Sequence, residues 1–88
     1  GEGATDAEEK ALLAELTAAD GVDRVIHMKT QYLGPDEMLV AAKIAISPGS
    51  DIGKIADTIN AAELRVRTAL PQARLIYLEP DIDHGAVN

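Results

Sequence analysis

The sequence has no cysteine, no phenylalanine and no tryptophan, and only two tyrosines. Each absence removes a class of explanation. Without cysteine there can be no disulfide, no thiolate metal site and no thiol nucleophile, which fits a reducing cytoplasm. Without Phe or Trp the core must be built from Ala, Ile, Leu and Val. The stacking platforms that single-stranded nucleic acids use are missing too. Basic residues are scarce, 8 against 15 acidic ones, for a net charge of −7. That charge repels a phosphate backbone, so no nucleic-acid partner is expected. No apolar run approaches the ~20 residues of a membrane helix. The acidic, polar start Gly-Glu-Gly-Ala-Thr-Asp does not read as a secretory signal. The fragment is expected to be soluble as it stands.

What is present is an aliphatic chain of 88 residues, 47% apolar, which is one domain by length and too apolar for disorder. Gly1 to Ala4 reads as a flexible lead-in. Thr5 and Glu8 have capping-box spacing, with Asp6, Glu8 and Glu9 favourably placed at the positive end of a helix dipole. Leu12, Leu13 and Leu16 then recur at helical spacing, and Gly21 is a stop signal; the first helix is expected over roughly residues 6–19. Val22 to Tyr32 reads as a strand with Ile26, Met28 and Tyr32 on one face. After the turn Leu33-Gly34-Pro35-Asp36, a second strand runs from Glu37 to Ile46, with Met38, Val40, Ala42, Ile44 and Ile46 on one face. The short connection makes the pair an antiparallel hairpin.

Ser50 or Asp51 can cap a second helix, whose apolar stripe runs Ile52, Ile55, Ala56, Ile59, Ala62, Val66 and Leu70 before Pro71 ends it. Ala73 to Leu78 reads as a third short strand and Glu79 to His84 as a polar tail. The order α-β-β-α-β predicts an α+β domain with two helices on one face of a three-stranded sheet. The other face then has no helix to cover it. Val25, Leu39, Ala41 and Ala45 are expected there with His27, Lys29 and Lys43. A partly apolar uncovered face suggests a partner surface. Val25, Leu39, Ala41 and Lys43 are its candidate dimer contacts.

Gly21-Val22, Val25, His27, the Tyr32-Leu33-Gly34-Pro35 turn, the 37–46 strand, Ala62-Glu63 with Val66, Pro71, and Ile76-Tyr77-Leu78-Glu79-Pro80 follow one ordered pattern. It resembles the cytoplasmic C-terminal domain of cation diffusion facilitators, the family that exports zinc, iron, manganese and cobalt. The resemblance runs from about Ala7 to Asp81. It implies a ferredoxin-like or metallochaperone-like fold, a V-shaped homodimer, and regulation of transport by metal at the dimer interface. It also implies that residues 1–5 are a linker after a transmembrane domain of the same chain. Residues 6–84 would be the regulatory domain on the cytoplasmic side of the membrane, and 85–88 a flexible tail. The chain is expected to be no enzyme. The main alternative is a free-standing ferredoxin-like module that senses a small ligand. A small enzyme on the same fold ranks behind it, because no nucleophile or acid–base pair stands out.

His27 matches a family position that often binds regulatory metal, just before the hairpin turn. The family's other ligands are poorly kept. Ala41-Ala42-Lys43 stands where some members have a second histidine, and the third strand ends in Leu78-Glu79-Pro80-Asp81 rather than in a His and an Asp. What remains as a candidate metal set is His27 with Glu79, Asp81, Asp83 and His84, shared between protomers. This nitrogen–oxygen set suits Mn²⁺ or Fe²⁺ about as well as Zn²⁺. The plain alternatives are a solvated strand histidine and a frayed acidic tail.

Overall fold

A computed structural model describes residues 2–85. The elements are α1 (Asp6–Ala18), β1 (Val22–Gly34), β2 (Glu37–Ile46), α2 (Ile52–Ala69) and β3 (Ala73–Ile82). The sheet order is β1-β2-β3, with β1 antiparallel and β3 parallel to β2. The parallel pair needs a crossover, and α2 supplies it. α1 packs over β1, α2 over β3, and the helices touch each other. The shortest extent, 17 Å, has room for one layer of helices on one sheet and nothing more. The expected α+β architecture is therefore the one observed.

The caps form as the sequence implies. Thr5 accepts from the Glu8 amide at 3.1 Å, and Glu8 accepts from the Thr5 amide at 2.9 Å. Asp51 is the cap of α2, accepting from the Lys54 amide at 2.7 Å. Gly21, between α1 and β1, has a φ of +95°, and a Cβ there would lie 2.1 Å from the Thr58 Oγ1. Only glycine meets both the backbone conformation and the close approach of α2. The Thr58 hydroxyl is buried and has no hydrogen-bond partner among the described residues.

The core lies between the helices and one face of the sheet. On β2, Met38, Val40, Ile44 and Ile46 are buried as the alternation requires, with Ala42 among them. Leu12 and Leu16 of α1 and Ala62 and Val66 of α2 close over them. Leu13 stays at the edge, 36% exposed, and Ile52 is 86% exposed because it is the first residue of its helix.

Three expectations change. Val25 is not on the open face. It opposes Ile44 and packs against the core, because a β-bulge between Val25 and His27 inserts Ile26 and resets the alternation. The third strand does not stop at Leu78. It runs on to Ile82 and includes Glu79, Pro80 and Asp81, which a sheet edge allows because proline's missing N–H there faces no neighbouring strand. The lead-in is also not free. The Tyr32 amide donates to the Glu2 carbonyl at 2.7 Å, and the Ala4 amide donates to the Thr30 hydroxyl at 2.8 Å, so residues 2–4 run along β1. Gly1 and residues 86–88, parts of the expected linker and tail, lie outside the described residues.

Candidate functional site

Register decides which side chains share the open face. Moving across the sheet from β1 to β3, one row reads Gln31, Leu39, Leu75, and the next reads Lys29, Ala41, Tyr77. The third reads His27, Lys43, Glu79, and the fourth Arg24, Ala45, Asp81. One half of the face is therefore largely apolar and the other half charged. Ala45 is fully buried even though no helix covers it, since Arg24 and Asp81 flank it. A depression of about 390 Å³ includes His27, Lys29, Ala41, Lys43, Tyr77 and Glu79 in its lining.

The charged half is organised around Lys43, on the central strand. Its ammonium lies 3.5 Å from a Glu79 carboxylate oxygen and 4.0 Å from one of Asp81. His27 is the cross-strand partner of Lys43 and is exposed. The structure thus sets Glu79 and Asp81 beside the Lys43 ammonium, with His27 at the paired position on β1. That grouping was not readable from the sequence, because it depends on the parallel register of two strands separated by a whole helix.

Asp83 and His84 lie just past the end of β3. Asp83 is already engaged: it accepts from the Arg24 Nε at 3.3 Å and from the Gly85 amide at 2.9 Å, while Arg24 also donates to the Gly85 carbonyl at 2.9 Å. The Gly85 amide bond, with help from Arg24, holds the Asp83 carboxyl below its usual range. The Asp83 amide donates to the Ile46 carbonyl at 2.9 Å. The start of the expected tail is thus tied back to β1 and β2. His84 is exposed. Among the described residues, no three His, Asp or Glu side chains converge where they could hold a metal ion.

A second polar cluster fixes the other end of β1. The Tyr32 hydroxyl donates to Glu8, and the Gln72 amide donates to the same carboxylate oxygen at 3.0 Å. The Tyr32 bond, then the Thr5 amide and Gln72, pull the Glu8 carboxyl down to about 2. One carboxylate thereby joins α1, β1 and the loop before β3. Sequence reasoning found the capping box but had no signal for these tertiary donors.

With this geometry in hand, the class is a two-layer α+β domain of metallochaperone-like topology with one open sheet face. No protein-family model and no curated protein matches the chain. Solved structures do. The nickel form of a MamM CTD variant superposes with a TM-score of 0.84 at 15% identity, over 91% of this chain and 100% of that one. A manganese form gives 0.80 at 17% identity, over 88% and 96%. A cadmium form gives 0.83 at 15% identity, over 90% and 98%. At these identities the likeness is one of fold, and it spans nearly the whole of both chains.

Proposed function

We propose that this chain is the dimerising, regulatory cytoplasmic domain of a cation diffusion facilitator, which exports divalent metal cations. The observation that carries the reading is the near-complete match in both directions to the MamM CTD, the cytoplasmic domain of such a transporter. The ordered residue pattern from Gly21 to Pro80 supports it independently of the fold. No helix among the described residues is long and apolar enough to cross a membrane, so transport itself would belong to a transmembrane domain of the same chain, joined through residues 1–5. The domain would then sit at the cytoplasmic side of the membrane and act on transport as a regulator, not as a catalyst.

In this reading two copies pair. Leu39 and Ala41, beside Leu75 and Tyr77, form an apolar strip on a sheet face that no helix covers, and Tyr77 is 61% exposed. Burying such a strip against a second copy removes apolar surface from water. In this reading the metal response belongs to the pair, since among the described residues of one copy no three ligands converge. His27, Glu79 and Asp81 of each copy would supply the donors. Asp83 is committed to Arg24 and Gly85, so it and His84 are secondary. Matching metal forms of the MamM CTD carry nickel, manganese and cadmium; for this nitrogen–oxygen set the expected ions are Zn²⁺, Mn²⁺ or Fe²⁺.

Calorimetric titration with Zn²⁺ and Mn²⁺, on wild type and on His27→Ala, tests the metal half of the proposal. Weak binding that the substitution abolishes is the expected result. Equal affinity in the two proteins removes His27 from the site.

A further inference from the structure

The sheet has two edges, and only one of them is blunted. Residues 2–4 run along β1, where the Tyr32 amide donates to the Glu2 carbonyl. Register shifts at Val22/Arg24 and Val25/His27 interrupt the rest of that strand. β3 has neither device. From Leu75 to Ile82 it pairs with β2 residue for residue, and among the described residues no strand lies on its outer side. We propose that the β3 edge is where two copies join, antiparallel, so that their two sheets become one. The inference rests on the reading that two copies pair, and names the contact through which they do so.

The backbone decides which groups are available. The Asp83 amide donates to the Ile46 carbonyl, so Asp83 and, by alternation, the odd-numbered residues of β3 before it turn their backbone groups toward β2. The N–H and C=O groups of Ile76 and Leu78 therefore turn outward, away from the sheet. Pro80 is outward as well, where it has no N–H to lose. The antiparallel register that pairs these groups with one another sets Ile76 opposite Leu78 of the second copy, and Leu78 opposite its Ile76. Every one of those outward groups is then bonded, across a two-fold axis. A slip one way would set Ile76 opposite Pro80, which lacks a donor. A slip the other way would set Leu78 opposite Arg74, which lies at the register shift where the strand begins.

The side chains are self-complementary in that register. β3 starts basic at Arg74 and ends acidic at Glu79 and Asp81, with an apolar middle between them. Reversal in the second copy carries each Arg74 past the acidic end of the other strand. Arg74 is exposed and has no ion pair among the described residues, so it is free to meet those carboxylates. Tyr77, 61% exposed, faces Tyr77 of the second copy at the axis, as a non-hydrogen-bonded pair whose side chains come close. The apolar strips of the two copies meet along this seam. With β1 blunted, the pair leaves no open edge for a third copy, so the assembly closes. Two short strands bury less than the ~1,200 Å² of an ordinary stable pair, so the contact forms and dissociates with concentration.

The test is amide hydrogen exchange of the whole chain, read residue by residue by NMR in dilute and concentrated samples, with sedimentation on the same samples. In one copy the Ile76 and Leu78 amides have no acceptor, so only a strand laid along the edge can slow them. Their exchange should slow by about tenfold or more where the dimer dominates. The chain has no cysteine, so Tyr77→Cys places a single thiol at the axis. Such paired positions lie about 4.5 Å apart at Cα, a span a disulfide bridges, and oxidised glutathione should yield a covalent dimer. Gln31→Cys, on the same face of the far strand, should not. Leu78→Pro removes an outward amide and should abolish association, while Leu78→Ala keeps the amide and should retain most of it. Unslowed Ile76 and Leu78 amides in a sample that sediments as a dimer overturn the edge contact and leave the dimeric reading standing. A monomer at every concentration overturns both. Equal cross-linking through Gln31→Cys overturns the edge contact as well.

Discussion

The two faces of β2 solve different problems with alternate residues of one ten-residue strand. The face toward the helices is Met38, Val40, Ala42, Ile44 and Ile46, all buried. The face away from them is Glu37, Leu39, Ala41, Lys43 and Ala45, with two carboxylates and an imidazole on the strands beside Lys43. The first face is closed and holds the fold together. The second is unfinished within one chain: apolar at one end, ionic at the other. An unfinished face of this kind is where a second copy and a cation would have their effect, so the fold and the proposed regulation occupy opposite sides of the same strand.

The largest effect that should separate the two faces comes from neighbouring truncations. Ile44→Ala removes a fully buried side chain from the helix-covered face and should cost about 3 kcal/mol in urea denaturation. Leu39→Ala, on the other face, should cost less than about 1 kcal/mol in a dilute monomer, while weakening self-association. If both substitutions cost the same at a concentration where the protein is monomeric, the division between structural and contact faces is wrong.

A smaller effect lies under the helices. The Thr58 hydroxyl is buried without a partner, against Gly21. Thr58→Val keeps the shape and removes the unpaired group, and should stabilise the domain by about 1 kcal/mol in thermal or urea unfolding. A loss of stability would mean that the hydroxyl has a partner.

The smallest effect is in acid. The Glu8 carboxyl is held at about 2 in the folded chain, below its ordinary 4.5. A depressed carboxylate contributes stability that is complete above the unfolded value and is lost as pH falls from about 4.5 toward 2. Glu8→Gln should flatten the stability–pH curve in that window, followed by urea melts at several pH values. Tyr32→Phe should flatten it in part, since the Tyr32 bond is the largest cause of the shift. An unchanged slope in Glu8→Gln would move the acid-sensitive point elsewhere in the fold.

Most of the fold was legible because its signals are local. The alternation in β2, the Thr5–Glu8 box, the Asp51 cap and Pro71 each act within a few residues, and each predicts what is observed. The misreadings share one cause, dependence on a distant partner. The bulge at Ile26 sets the facing of Val25, and only pairing with β2 reveals it. Glu79 to Ile82 read as tail because the sequence does not say that β3 is an edge strand, where Pro80 is tolerated. The candidate ligands were legible as residue types, but not as neighbours. His27, Glu79 and Asp81 share the open face only through two register relations, and Lys43 stands between them for the same reason.

Sedimentation equilibrium of the wild-type chain over a wide concentration range, with and without added Zn²⁺ or Mn²⁺, tests the central claim most directly. A monomer–dimer equilibrium that metal shifts toward dimer is the predicted result, because ligands shared between two copies tie metal binding to association by mass action. A single monomeric species at every concentration, unchanged by either ion, would contradict the account.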